Sequence, residues 1–438
     1  MSIGLITLLM FGLVLILIAL GTPISFVLGG VAALFIYFMW GANSIALVVN
    51  TTYAWMGNYY VQCIPMFILM ALILERSGIV SDLYNMLHYW TANLRSGLLI
   101  GTLVICTLLA AIVGLGGMAV LTLGSIALPE MIKRGYDKEI TMGCIMAGSV
   151  LGILIPPSIV FILYGIVAEV SIGKLFMGGI IPGIVTCLLF IAYVIIRGRL
   201  QPGLFPTTAA RSEHVTWKEK IVSLKAVILP FLLIITVLGA IFSGAATATE
   251  ASALGALGSL IVAAVYRRIT WNNLKHACFG TLKMTCMVMW LLFGAAAFVS
   301  IYSGVGAQKF IESMILGLPL SKWGVLVVMQ VILIFLGCFM DPGGIILIAV
   351  PIFVPIIKSL GFNPLWFGVL FCMNMQIGHL TPPLGFNLFF MRAVTGPEIS
   401  MTQIYRSVIP FILLQSLGMI IVMIIPQFVE WLPKLIYR

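Results

Sequence analysis

The sequence predicts an all-α polytopic membrane protein built as an inverted repeat of two five-crossing halves, each with a re-entrant helical hairpin and a broken helix. Three observations predict it. The chain of 438 residues is 62% hydrophobic and only 8% charged, where soluble domains carry about 25% charged residues. Apolar runs of spanning length recur from end to end, continuous rather than alternating, which excludes a β-barrel. The chain also matches itself at an offset of 226 residues: Phe67 meets Phe293, Ser77-Gly78 meets Ser303-Gly304, Gly117 meets Gly343, Pro129 meets Pro355, Gly152 meets Gly378, and Pro156-Pro157 meets Pro382-Pro383. Identity is low, but the matches fall at glycine and proline, where backbone geometry is most restricted.

The elements follow in order. In the first repeat, 1–196, scaffold helices cover about 4–21, 23–40 and 58–76, and an amphipathic stretch covers 79–93. The runs 97–113 and 118–129 flank "GLGGM" (Gly114 to Met118). Each is short for a span of about 20 residues, which predicts a re-entrant hairpin over 95–129. The segment 140–168 is too long for one plain helix and carries Pro156-Pro157 at its middle; proline removes a backbone donor and clashes with the preceding turn. A helix at 176–196 and a linker at 197–225 follow. The second repeat, 226–438, reads the same way: scaffold helices at 226–242, 250–266 and 284–302, a hairpin over 323–355 with "MDPGG" at its tip, a broken span 364–394, and a helix at 408–425. A hairpin enters and leaves on one side, so each half crosses five times. An odd number turns the second half upside down, the inverted repeat of secondary transporters.

Charge orients the chain. With 197–225 placed in the cytoplasm, the loops on that side hold 17 of the 23 Lys and Arg, as the positive-inside rule requires. Both termini then lie outside the cytoplasm. The net charge of +10 reflects this loop bias rather than nucleic-acid binding. Residues 5–20 lack a basic leader and run straight into a second apolar segment, unlike a cleavable signal. The eight cysteines contain no CxxC pair and read as buried small hydrophobes.

Irregular backbone at membrane depth is tolerated only when buried in protein or lining a wet cavity. Two hairpin tips and two broken helices meet that description, and their carbonyl ends suit Na⁺ while their amide ends suit anions. Two cation sites are therefore expected, with solute between them. One comprises Gly114, Gly116, Gly117, Thr122, Pro156 and Ser158; the other comprises Asp341, Gly343, Gly344, Thr381 and Asn387. Ser158, Asn374, Thr381, Asn387 and Arg392 are candidate solute ligands. Asp341 is a mid-membrane carboxylate, costly unless functional, and is equally placed to cap the helix after it. Its mate at the repeat offset is Leu115, so the two sites should be chemically unequal. His379 reads as a structural histidine, Glu250 as a helix-start acid, and Arg392 also as an orientation-setting charge. Na⁺ is the only ion expected; no cofactor is. No HExxH or GxSxG supports an intramembrane enzyme. An anion channel is the other alternative.

Several stretches resemble the large membrane subunit of tripartite ATP-independent periplasmic (TRAP) transporters: "LPEMIKRGYDKEITMGCIMAGSVLGILIPPSIVFILYGIVAEVSIGKLFMGGIIPG", "GAATATEASALGAL", "MDPGGIILIAVPIFVPI" and "HLTPPLGFNLFF". The resemblance covers essentially the whole chain. It implies import of an organic anion across the bacterial inner membrane, driven by a Na⁺ gradient. A periplasmic binding protein would deliver the solute, and a separate small four-helix membrane subunit would complete the translocator. It also implies an elevator-type ion-transporter fold, in which the hairpins and broken spans move against a scaffold made by the first three helices of each half. Many relatives carry a Ser-rich run at the first tip; here it is "GLGGM", so that site would lean on carbonyl groups.

Overall fold

The computed structural model describes residues 2–79, 82, 83, 86, 89, 90, 96–113, 116–205, 216–317, 319–382 and 385–436. Among these residues the regular structure is helical throughout. The first half contains α1 (Ile3–Ala19), α2 (Ile24–Trp40), α3 (Ala46–Met56), α4 (Cys63–Arg76), α5 (Gly97–Val113), α6 (Gly116–Lys133), α7 (Lys138–Val150), α8 (Ile159–Ala168) and α9 (Ile172–Leu200). The second contains α10 (Trp217–Phe242), α11 (Ala248–Val265), α12 (Trp271–Gly304), α13 (Ala307–Leu316), α14 (Lys322–Gly337), α15 (Pro342–Ser359), α16 (Pro364–Leu380), α17 (Phe386–Val394), α18 (Met401–Ile424) and α19 (Gln427–Ile436).

Local chemistry explains where these helices start. Thr216 with Glu219, Thr247 with Glu250, and Ser400 with Gln403 each close a reciprocal capping box, satisfying two orphan amides at once. The hydrogen bonds from the Thr216 backbone and hydroxyl hold the Glu219 carboxyl below the ordinary value for glutamate. Glu250 is thus a structural acid, as expected. Prolines 129, 182, 230, 351, 355 and 410 all sit inside helices, so a single proline in an apolar run does not by itself break a span.

Several expected bounds need correction. Hairpin arms run to Lys133 and Ser359 rather than 129 and 355, and α12 extends over 34 residues rather than 284–302. Polar residues at those ends remain helical because they stand in the membrane interface or beyond it. Helix enters the 197–225 linker from both ends: α9 reaches Leu200 and α10 begins at Trp217, while 206–215 lie outside the described residues. Helices α3, α13 and α19 were not anticipated. They are short, and α13 and α19 are amphipathic rather than uniformly apolar. Most of the 79–93 stretch lies outside the described residues. Cys278 and Cys286 are exposed on α12, not buried.

Among the described residues, six helices are long and apolar enough to cross a membrane alone, or seven if the bent 217–242 helix counts as one span; one of the six, α15, is the expected hairpin arm rather than an expected crossing. The ten expected crossings also include α1 and α2, of 17 residues each. At 1.5 Å per residue these rise about 26 Å, near the ~30 Å of a hydrocarbon core. The other difference comes from the two broken spans, which no single helix completes.

The helices sort into two packed groups that cut across the halves. Helices α2, α4, α11 and α12 pack together, with α1, α3, α10 and α13 around them. Helices α5–α9 and α14–α19 form the other body. Glycines set the closest approach in the first: a Cβ on Gly294 of α12 would stand 2.3 Å from the Ser25 carbonyl oxygen of α2. Gly294→Val is expected to destabilise the protein by about 1–3 kcal/mol through overpacking, read as a lower unfolding temperature in detergent. An unchanged melting curve would show that α2 and α12 separate freely.

Candidate ion and solute site at two interlocked broken helices

The first broken span leaves the α-helix at Val150, makes one 3₁₀ turn over Leu151–Ile153, and resumes at Ile159. Ser158 is the N-cap of α8: its Oγ donates to the Ile153 carbonyl at 2.6 Å and accepts from the Phe161 amide at 3.4 Å. Pro156 and Ser158 are both buried. The second span ends at Leu380 and resumes at Phe386. The Thr381 hydroxyl donates to the Ile377 carbonyl at 2.7 Å. Pro383 lies outside the described residues.

The two breaks interlock. Asn387, at the start of α17, is fully buried and donates to the Met146 carbonyl (3.2 Å) and to Ser149 Oγ (3.0 Å), both on α7. Gln376 of α16 donates to the Val150 carbonyl at 2.8 Å. Val150 and Gln376 are separated by the repeat offset, so here equivalent positions of the two halves touch. Hairpin arms are exchanged in the same sense: α6 packs on α17, and α15 on α8.

Each hairpin also reaches its own break. The turn at 151–153 packs against α5 and α6. At the second hairpin, Gly337 and Gly378 meet backbone to backbone, a Cβ on Gly378 falling 2.8 Å from the Gly337 Cα. Asp341 is the N-cap of α15, accepting from the Gly344 amide at 3.2 Å, and is half-buried. Gly343 and Gly344 press on the other body: a Cβ on either would come within 2.9 Å of Leu291 and Ile24 respectively. In the first hairpin Gly116 opens α6, Gly117 faces the Phe390 ring of α17, and Gly114 lies outside the described residues. Helix ends carry about half an elementary charge, negative at carbonyl ends and positive at amide ends. The breaks and tips thus bring both signs together in a buried region.

Not every expected residue joins this cluster. Thr122 stands further along α6 and its hydroxyl points to Glu75 Oε1 of α4, 3.4 Å away. Arg392 is exposed at the end of α17, its guanidinium held by the Gly396 and Ile399 carbonyls at 3.4 and 2.5 Å. Asn374 is tied to Gln330, donating to its backbone and side-chain oxygens at 2.9 and 2.8 Å. His379 faces the Phe386 ring at 5.5 Å between centroids. The buried Oδ1 of Asn374 has no hydrogen-bond partner among the described residues, while the Asn387 side chain also meets the His379 imidazole. Gln330, Gln376 and Gln415 were missed from sequence. Gln330 and Gln415 are lone amides within apolar runs and Gln376 stands two residues from Asn374 in another; such amides are the available signal, since buried amides in membrane helices hydrogen-bond across helices.

A model of the TRAP transporter DctM component matches residues 11–428. The chain belongs to the DctM component family of tripartite ATP-independent periplasmic transporters. Among relatives of this DctM-family chain, the C4-dicarboxylate TRAP transporter large permease protein DctM of Pseudomonas aeruginosa is 34% identical over 380 residues, covering 86% of this chain and 87% of the relative. The protein of the same description from Vibrio cholerae is 31% identical, with 98% and 97% covered. The isethionate TRAP transporter permease protein DctMQ of Oleidesulfovibrio alaskensis is 32% identical over 97% of this chain but only 65% of its own length. Among solved structures, the Alcanivorax borkumensis YdaH transporter superposes with a TM-score of 0.65 over 98% of both chains at 15% identity. Neisseria gonorrhoeae MtrF gives 0.61 at 14% identity, over 90% of this chain and 85% of its own. These two show that the DctM-family fold is a polytopic all-α transporter fold. The chain is thus a multi-pass subunit of a bacterial inner-membrane TRAP system, not an enzyme. Such a system includes a small membrane subunit and a periplasmic binding protein.

Proposed function

We propose that this chain is the carrier subunit that moves an organic anion, handed over by the binding protein, down a Na⁺ gradient into the cytoplasm. One observation carries the reading: two repeat-related broken helices interlock through Asn387 and Gln376, and each faces a hairpin tip. Interlocking supports a single rigid carrier body, so α5–α9 and α14–α19 would move together against the remaining helices. The breaks and tips offer several oxygen donors: carbonyl ends, the Asp341 carboxylate, the Thr381 hydroxyl and the Asn387 side-chain oxygen. Oxygen ligands suit a hard cation such as Na⁺. Gly116, Gly117, Pro156 and Ser158 would frame one cation position, and Asp341, Gly343, Gly344, Thr381 and Asn387 the other. Amide ends of α8 and α17 would face the solute's carboxylate. The relatives named for C4-dicarboxylates support an organic acid as solute. A small four-helix subunit would complete the translocator, and both termini would be periplasmic.

Uptake into proteoliposomes, reconstituted with the small subunit and supplied with loaded binding protein, tests this. Accumulation should require an inward Na⁺ gradient and collapse when Na⁺ is equal on both sides. Accumulation indifferent to Na⁺ would remove the coupling. Stepwise single-channel currents would replace the carrier by a channel.

A further inference from the structure

A cavity of about 670 Å³ opens at the seam between the two helix bodies, away from the breaks. Asn58, Tyr60, Ala246 and Thr247 line it from one body, and Glu169 and Ser171 from the other. The first wall is braced: Tyr59 Oη and Thr247 Oγ1 lie 3.0 Å apart, and Thr249 Oγ1 donates to the Tyr59 carbonyl at 3.0 Å. The lining segments are the loops that the charge bias assigns to the periplasm.

Glu169 distinguishes this cavity. It ends α8 in the left-handed conformation, with φ 56° and ψ 42°, a region uncommon for residues other than Gly, Asn and Asp. Its side chain is exposed and has no hydrogen bond or ion pair among the described residues. No Lys or Arg lines the cavity, so an anionic solute would meet an uncompensated carboxylate there. A bare metal ion needs far less room; the volume falls within the ~300–1,000 Å³ of sites that enclose organic groups. An ammonium or guanidinium supplies the opposite charge, and the protein loop that carries it supplies the bulk to fill the volume.

We propose that the seam cavity is a docking slot for a basic side chain of the periplasmic binding protein, with Glu169 as its ion-pair partner. The proposal rests on the carrier reading above, in which a periplasmic partner delivers solute. Because the slot has one wall on each body, its shape changes whenever the bodies shift. A partner seated in it therefore favours one arrangement, and by linkage that arrangement favours the partner. Docking and carrier movement become coupled without any contact to the cation positions.

The test measures binding of the loaded binding protein to the chain plus small subunit in nanodiscs, at low and high salt. Glu169→Asn removes the charge yet keeps a residue that tolerates the left-handed backbone. Affinity should fall about tenfold and lose much of its salt dependence, as for a charge at an interface. Ala246→Trp should weaken binding similarly without changing charge, by filling the slot. Reversing the partner's basic residue to Glu should restore binding to the Glu169→Lys variant. If Glu169→Asn and Ala246→Trp both bind like the parent, the slot is refuted while the carrier reading stands, provided the parent still takes up solute with its binding protein. A parent complex that binds no periplasmic partner overturns both.

Discussion

Asp341→Asn is expected to leave the protein folded while weakening its apparent Na⁺ affinity by roughly ten- to a hundredfold, the range for losing a bond to a charged group. The substitution is informative because Asp341 has two jobs that chemistry can separate. Its carboxylate caps α15 through the Gly344 amide, and Asn caps about as well as Asp. The helix start should therefore survive, and the melting temperature should move little. What Asn lacks is the negative charge at the hairpin tip. Asp341→Ala removes both, and should cost about 1 kcal/mol more in stability through the lost cap. The measurement is the Na⁺ dependence of uptake in proteoliposomes beside thermal unfolding of the same preparations. If Asn and parent give superimposable Na⁺ titrations while Ala alone is destabilised, Asp341 is a cap and nothing more.

The asymmetry between the two sites depends on this result. The mate of Asp341 at the repeat offset is Leu115, and no other tip residue of the first hairpin is charged. A cation there would depend on carbonyl groups of the tip and on the turn after Val150. Ser158 would add one hydroxyl oxygen, its proton directed to Ile153 as that of Thr381 is directed to Ile377, but no charge. The second position combines a carboxylate, a hydroxyl and an amide oxygen, so it should be the tighter of the two.

The punctuation of the fold was legible in the sequence because it is local. Pro-Pro in an apolar run, and glycine clusters between runs too short to span, announce breaks and tips without reference to any distant residue. The offset of 226 paired them. What was not legible is contact between halves. Asn387 and Ser149 lie 238 positions apart, and nothing in the run around either names the other. The same holds for Gln415 and Gln376, whose side chains meet at 2.5 Å between α18 and α16. A single amide in an apolar run signals that a partner exists, not which helix supplies it. Helix α19 was missed for another reason. Its Pro433 and charged Glu430 and Lys434 interrupt any apolar run, yet Val429 and Pro433 are buried, the helix packing on α9, while Glu430 takes hydrogen bonds from Asn363 (2.9 Å) and Lys434 (2.6 Å).

Gly378→Val should abolish transport in a protein that still inserts and assembles. Gly378 stands in the last turn of α16 before the break, against Gly337 at the end of α14. A Cβ there would lie 2.8 Å from the Gly337 Cα and 3.0 Å from its carbonyl carbon and oxygen. These are backbone atoms, so no side-chain rotation relieves the clash, and the hairpin must move away from the break. Two glycines in facing helices each cost about 1 kcal/mol of helix propensity; close interhelical packing offsets that in a membrane. Overpacking should take about 1–3 kcal/mol from stability, an amount a chain with this much buried core can absorb. Displacing the tip by even 1 Å moves Asp341 away from Thr381 and Asn387, so the cation position is lost first. Gly239→Ala supplies the opposite control. Nothing lies within 4 Å of a Cβ at that position on α10, so alanine should stabilise the helix by up to about 1 kcal/mol and leave uptake unchanged. If Gly378→Val transports normally, the contact between tip and break is dispensable, and the second cation position must be built from groups that do not depend on that approach.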